Sequence, residues 1–193
     1  MSLSERKEVL VKALQDPEDA VRTAASRALD RVEGLERLGN IARTAAEGDK
    51  PDRLRAIYFL GFLNTPESVE KMLTFLLDPE PDIRVAAVKA IGLHLPERSF
   101  IPLLGALEDP NPSVIQVVME TLSLFRDPRI TEFILPFLQG EDTETACVAA
   151  KSLGRNGDPS AEPHLLKILK ETNDPFLKTK IVEALGNLLP GPE

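Results

Sequence analysis

The chain has 193 residues, of which 28% are charged and 42% hydrophobic, and its formal net charge is −8. An acidic balance of this size repels nucleic acid and anionic lipid, so neither is expected as a partner. Cys147 is the single cysteine, which excludes an internal disulfide, and no apolar run approaches the roughly 20 residues of a membrane span.

The N-terminal segment carries Glu5, Arg6, Lys7 and Glu8 and has no apolar signal core, so a cytoplasmic location is expected. Ser4 is placed to cap a first helix that runs to about Gln15. Asp16-Pro17 then ends that helix and starts another, because Asp accepts orphan N–H groups and Pro fits the first helical position. This second helix is expected from Pro17 to Arg31, and Gly34 is read as the separator from the next pair. The following unit has a helix from about Leu35 to Ala46, a turn at Glu47–Pro51, and a second helix with Leu54, Ile57, Tyr58, Phe59 and Phe62.

From here the cap-then-proline device recurs at Thr65-Pro66, Asn111-Pro112, Asp127-Pro128, Asp158-Pro159 and Asp174-Pro175. Pro102, Pro136 and Pro163 fall inside helices instead. Each lacks an N–H and crowds the carbonyl four residues back, so kinks or irregular first turns are expected. Pro190 and Gly191 should stop the last helix.

An aliphatic residue closes the second helix of each pair: Leu29, Leu60, Ile91, Leu122, Leu153 and Leu185. The spacing is 31 residues, with one step of 32, and a fixed period of this size marks stacked repeats. Gly61, Gly92, Gly154 and Gly186 follow the closing residue in four copies. Small residues such as Ala24, Ala25 and Ala28, or Ala86, Ala87 and Ala90, share one helix face. The first helix of each pair is marked by Leu10/Leu14, Ile41/Ala45, Met72/Leu76, Leu103/Leu107, Ile134/Leu138 and Leu166/Leu169. Six hairpins follow, each of helix A, turn and helix B, at about 1–33, 34–64, 65–95, 96–126, 127–157 and 158–193. They form a single repeat domain, 1–193, because one pair cannot bury both apolar faces alone.

The Asp-Pro turns, Val21-Arg22 and Ile83-Arg84, the Ala-Ala that follows and the closing Ala-Ile-Gly resemble HEAT-like repeats. They do so in the short form found in phycobilisome-lyase-type proteins. The resemblance implies an all-α right-handed superhelix, an α-solenoid with A helices convex and B helices concave. It implies a scaffold that binds another protein without catalysis. The enzyme-class alternative it implies is a bilin-lyase-like subunit or chromophore-attachment chaperone.

Arg22, Arg53 and Arg84 stand seven residues before the closing aliphatic, with Asp16 and Asp78 six before the first and third. In such repeats these residues imply a structural ladder of charge-assisted hydrogen bonds, which should lapse at Ile115 and Ala146. The competing role is an anion-binding row. His94 and His164 lack partners at metal-ligand spacing, Cys147 sits in an Ala- and Val-rich helix, and no phosphate loop or nucleophile elbow occurs. No catalytic residue, metal site or cofactor is therefore expected. A partner is expected on the B-helix surface at Arg27, Tyr58, Lys89, Met119, Glu120 and Lys151. Glu183 shares that register, and Ile57 and Val88 lie beside it.

Overall fold

The computed structural model describes residues 3–140 and 142–188, apart from the side chains of Leu35 and Glu36. The Pro190–Gly191 stop lies outside the described residues. No strand occurs among those residues, which are helical nearly throughout. They group into two compact units, one through Lys71 and one from Met72.

The first unit holds α1 (Leu3–Ala13), α2 (Asp19–Glu47) and α3 (Lys50–Leu63), with α1 and α3 each packed on α2. Two expectations fail here. Ser4 lies inside α1 and does not cap it. Gly34 does not separate helices; α2 runs through it for 29 residues. A lone glycine costs a helix only about 1 kcal/mol, and neighbours such as Leu and Arg are good helix formers. Gly34 has a packing role, because a Cβ there would stand 2.9 Å from Leu63 Cδ2 of α3.

The boundary between the units falls within α4 (Pro66–Thr74), which continues as a 3₁₀ turn at Phe75–Leu77. Thr65 and Ser68 cap its start reciprocally: each backbone N–H donates to the other's hydroxyl. The second unit continues with α5 (Pro81–Gly92), α6 (Phe100–Gly105), α7 (Pro112–Leu122), α8 (Ile130–Ile134), α9 (Thr143–Asn156), α10 (Glu162–Glu171) and α11 (Pro175–Asn187). The B helices α5, α7, α9 and α11 pack side by side in chain order. This is repeat stacking, in which each hairpin buries its neighbour's apolar face.

The core is the periodic set. Leu60, Ile91, Leu122 and Leu153 are fully buried, and Ile83, Val114 and Leu177 at the B-helix starts are buried with them. Each such side chain contributes roughly 1.5–3 kcal/mol of burial. In the last unit the A-helix register is shifted by one from expectation. Leu165 and Ile168 are buried, whereas Leu166 is exposed.

The three internal prolines produce 3₁₀ geometry and no single bend. Pro102 sits in α6, a six-residue helix flanked by 3₁₀ turns at Glu97–Ser99 and Ala106–Glu108. Pro136 lies in the 3₁₀ segment Leu135–Gln139. Pro163 opens α10 after the 3₁₀ turn Pro159–Ala161, where its missing N–H costs little. Asn111, Asp142, Asp158 and Asp174 cap helices through their side chains. Asp16 and Asp78 do not: each carboxylate accepts the backbone N–H two residues on, making a turn just ahead of the helix.

A further periodic feature is absent from the residue pattern but plain in the backbone. Asn64, Leu95, Arg126 and Gly157 all have left-handed φ, between 45° and 77°. They stand 31 residues apart; Asn64 and Gly157 directly follow α3 and α9, while Leu95 and Arg126 come a few residues after α5 and α7 end.

Of the closing glycines, Gly154 is explained by the next B helix. A Cβ on Gly154 would lie 2.5 Å from Ala184 Cα and 2.8 Å from its Cβ, both on α11. Nothing lies within 4 Å of one built on Gly186. Gly154→Ala is therefore expected to lower stability by about 1–3 kcal/mol despite alanine's better helix propensity. Gly186→Ala should raise it by up to about 1 kcal/mol. Chemical denaturation of the two variants checks this; equal effects would mean that α9 and α11 do not approach closely.

Candidate functional site

The three repeated arginines clamp turns. Arg22 Nη1 donates to the carbonyls of Asp16 and Pro17, both at 2.8 Å. Arg84 Nη1 donates in the same way to Asp78 O at 2.6 Å and Pro79 O at 3.2 Å. Arg53 Nε reaches Ala45 O at 2.9 Å, in the last turn of α2. Asp16 and Asp78 thus serve these arginines through backbone oxygens, as the sequence spacing alone does not show.

Arg84 also bridges to the following repeat. Its Nε and Nη2 grip Asp109 Oδ2 and Oδ1 at 2.6 and 2.8 Å, a bidentate fork with both side chains at least nine-tenths buried. Asp109 stands 31 residues after Asp78, at the equivalent Asp-Pro turn, so the period marks the position but does not show its pairing with Arg84. Burial pushes its carboxyl up, but the Arg84 fork and the Asn111 N–H more than reverse this and hold it below the usual carboxylate range. The hydrogen bonds to Asp109 raise Arg84 in turn. Later rungs have no ion pair: Gln116 Nε2 donates to Thr145 Oγ1 at 3.1 Å, and Thr131 Oγ1 to the Asp158 carboxylate Oδ2 at 2.6 Å.

Above the Arg84–Asp109 pair is an apolar cavity of about 670 Å³. Leu73, Leu77, Pro102 and Ala106 line it, and Leu77 is 88% exposed. Because Arg84 is fully engaged at its base, this cavity offers a ligand hydrophobic surface and no unpaired guanidinium.

The expected partner-binding residues divide. Lys89, Glu120 and Lys151 stand at equivalent positions of α5, α7 and α9, with Lys89 and Lys151 exposed and Glu120 half-buried. Lys151 Nζ meets Glu120 Oε1 at 2.7 Å across one repeat. Arg27 and Tyr58 are exposed in the first unit. Met119 is a correction: it is fully buried, as are Ile57 and Val88. One residue of rotation on a helix turns a side chain by about 100°, enough to move it from the surface into the groove between neighbouring B helices.

A second cavity of about 480 Å³ sits where α7, α9 and α11 end. Arg126, Lys151, Arg155 and the amides of Asn156 and Asn187 line it. The sequence pattern marks neither arginine, since no spacing rule predicts convergence at helix ends.

Elsewhere the chemistry is sparse. Among the described residues no cluster of three metal-ligating side chains occurs. His94 and His164 are exposed. Burial pushes the Cys147 thiol up, with Asp174 adding to the effect, which disfavours thiolate.

The family model of HEAT repeats matches residues 100–186. Residues 100–186 are HEAT repeats. Among solved structures, the complex of CpcE and CpcF of phycocyanin lyase from Nostoc sp. PCC7120 is similar. Its TM-score is 0.54 at 22% identity, covering 93% of this chain and 76% of that chain. A crystal structure of an engineered protein has TM-score 0.53 at 15% identity, covering 94% and 96%. A search of curated proteins finds no match. At these identities the likeness concerns the fold alone, which HEAT-repeat proteins put to many uses.

Breaking the Arg84–Asp109 pair should be costly. Arg84→Ala is expected to lower stability by about 3 kcal/mol or more, since a buried carboxylate loses its partner. Arg84→Leu with Asp109→Leu should recover much of the loss, whereas Lys12→Ala should change little. Because the folded Asp109 carboxyl is depressed, its stabilisation is complete above the ordinary carboxylate range of about 4 and is lost as pH falls through the folded value. Melting curves taken from neutral pH downward should be flatter for the double leucine variant; unchanged acid sensitivity would assign the effect to other carboxylates.

Proposed function

We propose that this chain is a non-enzymatic protein-binding module that holds a partner against the concave surface of its B helices. The observation that carries this reading is the division of the B-helix residues. The apolar ones, Ile57, Val88 and Met119, are sealed in the core, while Lys89, Glu120, Lys151 and Glu183 form a row of alternating charge across α5, α7, α9 and α11. A rigid surface of periodic charge suits register-specific docking, because complementary charges set specificity and on-rate. In the first unit Tyr58 and Arg27 offer an amphipathic ring and a guanidinium, side-chain types enriched at binding hot spots. The similar solved structure is itself a complex of two proteins, which agrees with this reading.

No described helix is long and apolar enough to cross a membrane; α2 is long but heavily charged. The reading takes the partner to be a cytoplasmic protein, since an acidic surface disfavours nucleic acid. The second reading is a bilin-lyase-like subunit, and it is favoured by the likeness to a complex belonging to a phycocyanin lyase.

Cross-linked partners should be captured by the wild-type chain and then measured individually. Lys89→Glu with Lys151→Glu should weaken a captured partner's binding by about tenfold or more while leaving melting unchanged, and Tyr58→Ala should be tested separately. Unaltered affinity in all of these would move the interface off the B helices. Incubation with a bilin, read by absorbance, tests the second reading: a stable red-shifted band would favour it over simple protein binding.

A further inference from the structure

We infer that the cavity bounded by Arg126, Lys151 and Arg155 is a carboxylate-binding site that takes an acidic segment of a protein partner. This deepens the protein-binding reading and rests on it. The cavity of about 480 Å³ is lined by three cationic residues and by Asn156 and Asn187, with no carboxylate among its described lining residues. That is unusual placement in a chain of net charge −8. Lys151 has a partner in Glu120, but that pair is exposed and exchangeable, with side chains 55% and 40% accessible. Among the described residues the side chains of Arg126 and Arg155 have no hydrogen-bond or ion-pair partner, unlike Arg84, whose donors are consumed.

The backbone fixes the arrangement. Arg126 has φ 52°, so its side chain leaves the chain from a left-handed residue. Asp127 follows, and its carbonyl accepts Asn156 Nδ2 at 3.1 Å, tying the Arg126 turn to the end of α9. Asn156 is 5% exposed, and its Oδ1 is buried without a partner. Arg155 also stands in the last turn of α9, where the helix dipole favours a cation. The dipole accounts for one cation; it does not account for three on one cavity.

Guanidiniums recognise planar oxyanions through paired N–H groups, so carboxylates and phosphates share this chemistry. A protein carboxylate is favoured over a nucleic acid, because three local cations satisfy a few carboxylates, whereas a polyanionic backbone must also meet the repulsion of the whole acidic surface.

The test uses the full chain and a fluorescein-labelled Glu-rich peptide, with its Gln counterpart as control. Anisotropy should show binding of the Glu peptide that weakens as salt rises. Arg126→Gly with Arg155→Gln should weaken it by about tenfold or more, the effect of losing a charge-assisted hydrogen bond. Glycine is native to left-handed backbone, as Gly157 shows in the equivalent position, so the fold should persist with melting unchanged. Lys170→Gln, an exposed lysine elsewhere, should leave binding intact. Equal binding of the Gln peptide, or no loss in the double variant, overturns the proposal. Displacement by inorganic phosphate at equal potency overturns the peptide assignment in favour of a small-oxyanion site. A captured partner that binds wild type and the double variant alike overturns the proposal while sparing the protein-binding reading; absence of both peptide and partner binding overturns both.

Discussion

Four B helices are followed within a few residues by one in left-handed backbone, and the rest of the repeat depends on that reversal. At Asn64 and Gly157 the left-handed residue caps the helix directly, whereas α5 and α7 end in right-handed turns and the reversal follows at Leu95 and Arg126. Only glycine, and to a lesser degree asparagine, adopts this region freely, so Leu95 and Arg126 carry a conformational cost there. Where the period would place the same stop at Glu33, the backbone stays helical and α2 runs on to Glu47. The contrast within one chain shows how much the reversal contributes: with it a hairpin closes, without it two helices fuse.

Once the chain is turned, the Asp-Pro segments and their arginines set how it re-enters. Arg22 and Arg84 fold back onto turn carbonyls that have no helical partner. Arg84 goes further and carries the Asp109 carboxylate of the next repeat into a nearly dry site. A buried ion pair of this kind adds little net stability over apolar side chains, but it tolerates few alternative registers. The later contacts, Gln116 with Thr145 and Thr131 with the Asp158 carboxylate, join successive hairpins without an ion pair.

This arrangement leaves functional chemistry to the surface. The small-residue faces are spent on packing, as the approach of Gly154 to Ala184 shows. Charge on the exposed B-helix positions and at the B-helix ends remains for recognition, with no nucleophile activated by its surroundings among the described residues. The Cys147 thiol is disfavoured as a thiolate, and the most strongly held carboxylates serve hydrogen bonds within the fold.

The sequence by itself determined the repeat. Aliphatic closers at a 31-residue interval and alanines on one face are local, periodic facts, and helical periodicity converts them directly into hairpins with a known buried side. It also marked Lys89, Glu120 and Lys151 as surface positions, because their offset from the closers is a fixed rotation about the helix. It misjudged Met119 and Gly34, whose fates depend on neighbours: a residue at the edge of the apolar face is exposed or buried according to how near the next helix comes. Tertiary structure alone decided that Asp109 is the carboxylate held by Arg84, and that Arg126, Lys151 and Arg155 share one cavity. Those pairings join residues from different hairpins, and their distances follow from backbone reversals and helix approach that no spacing along the chain encodes.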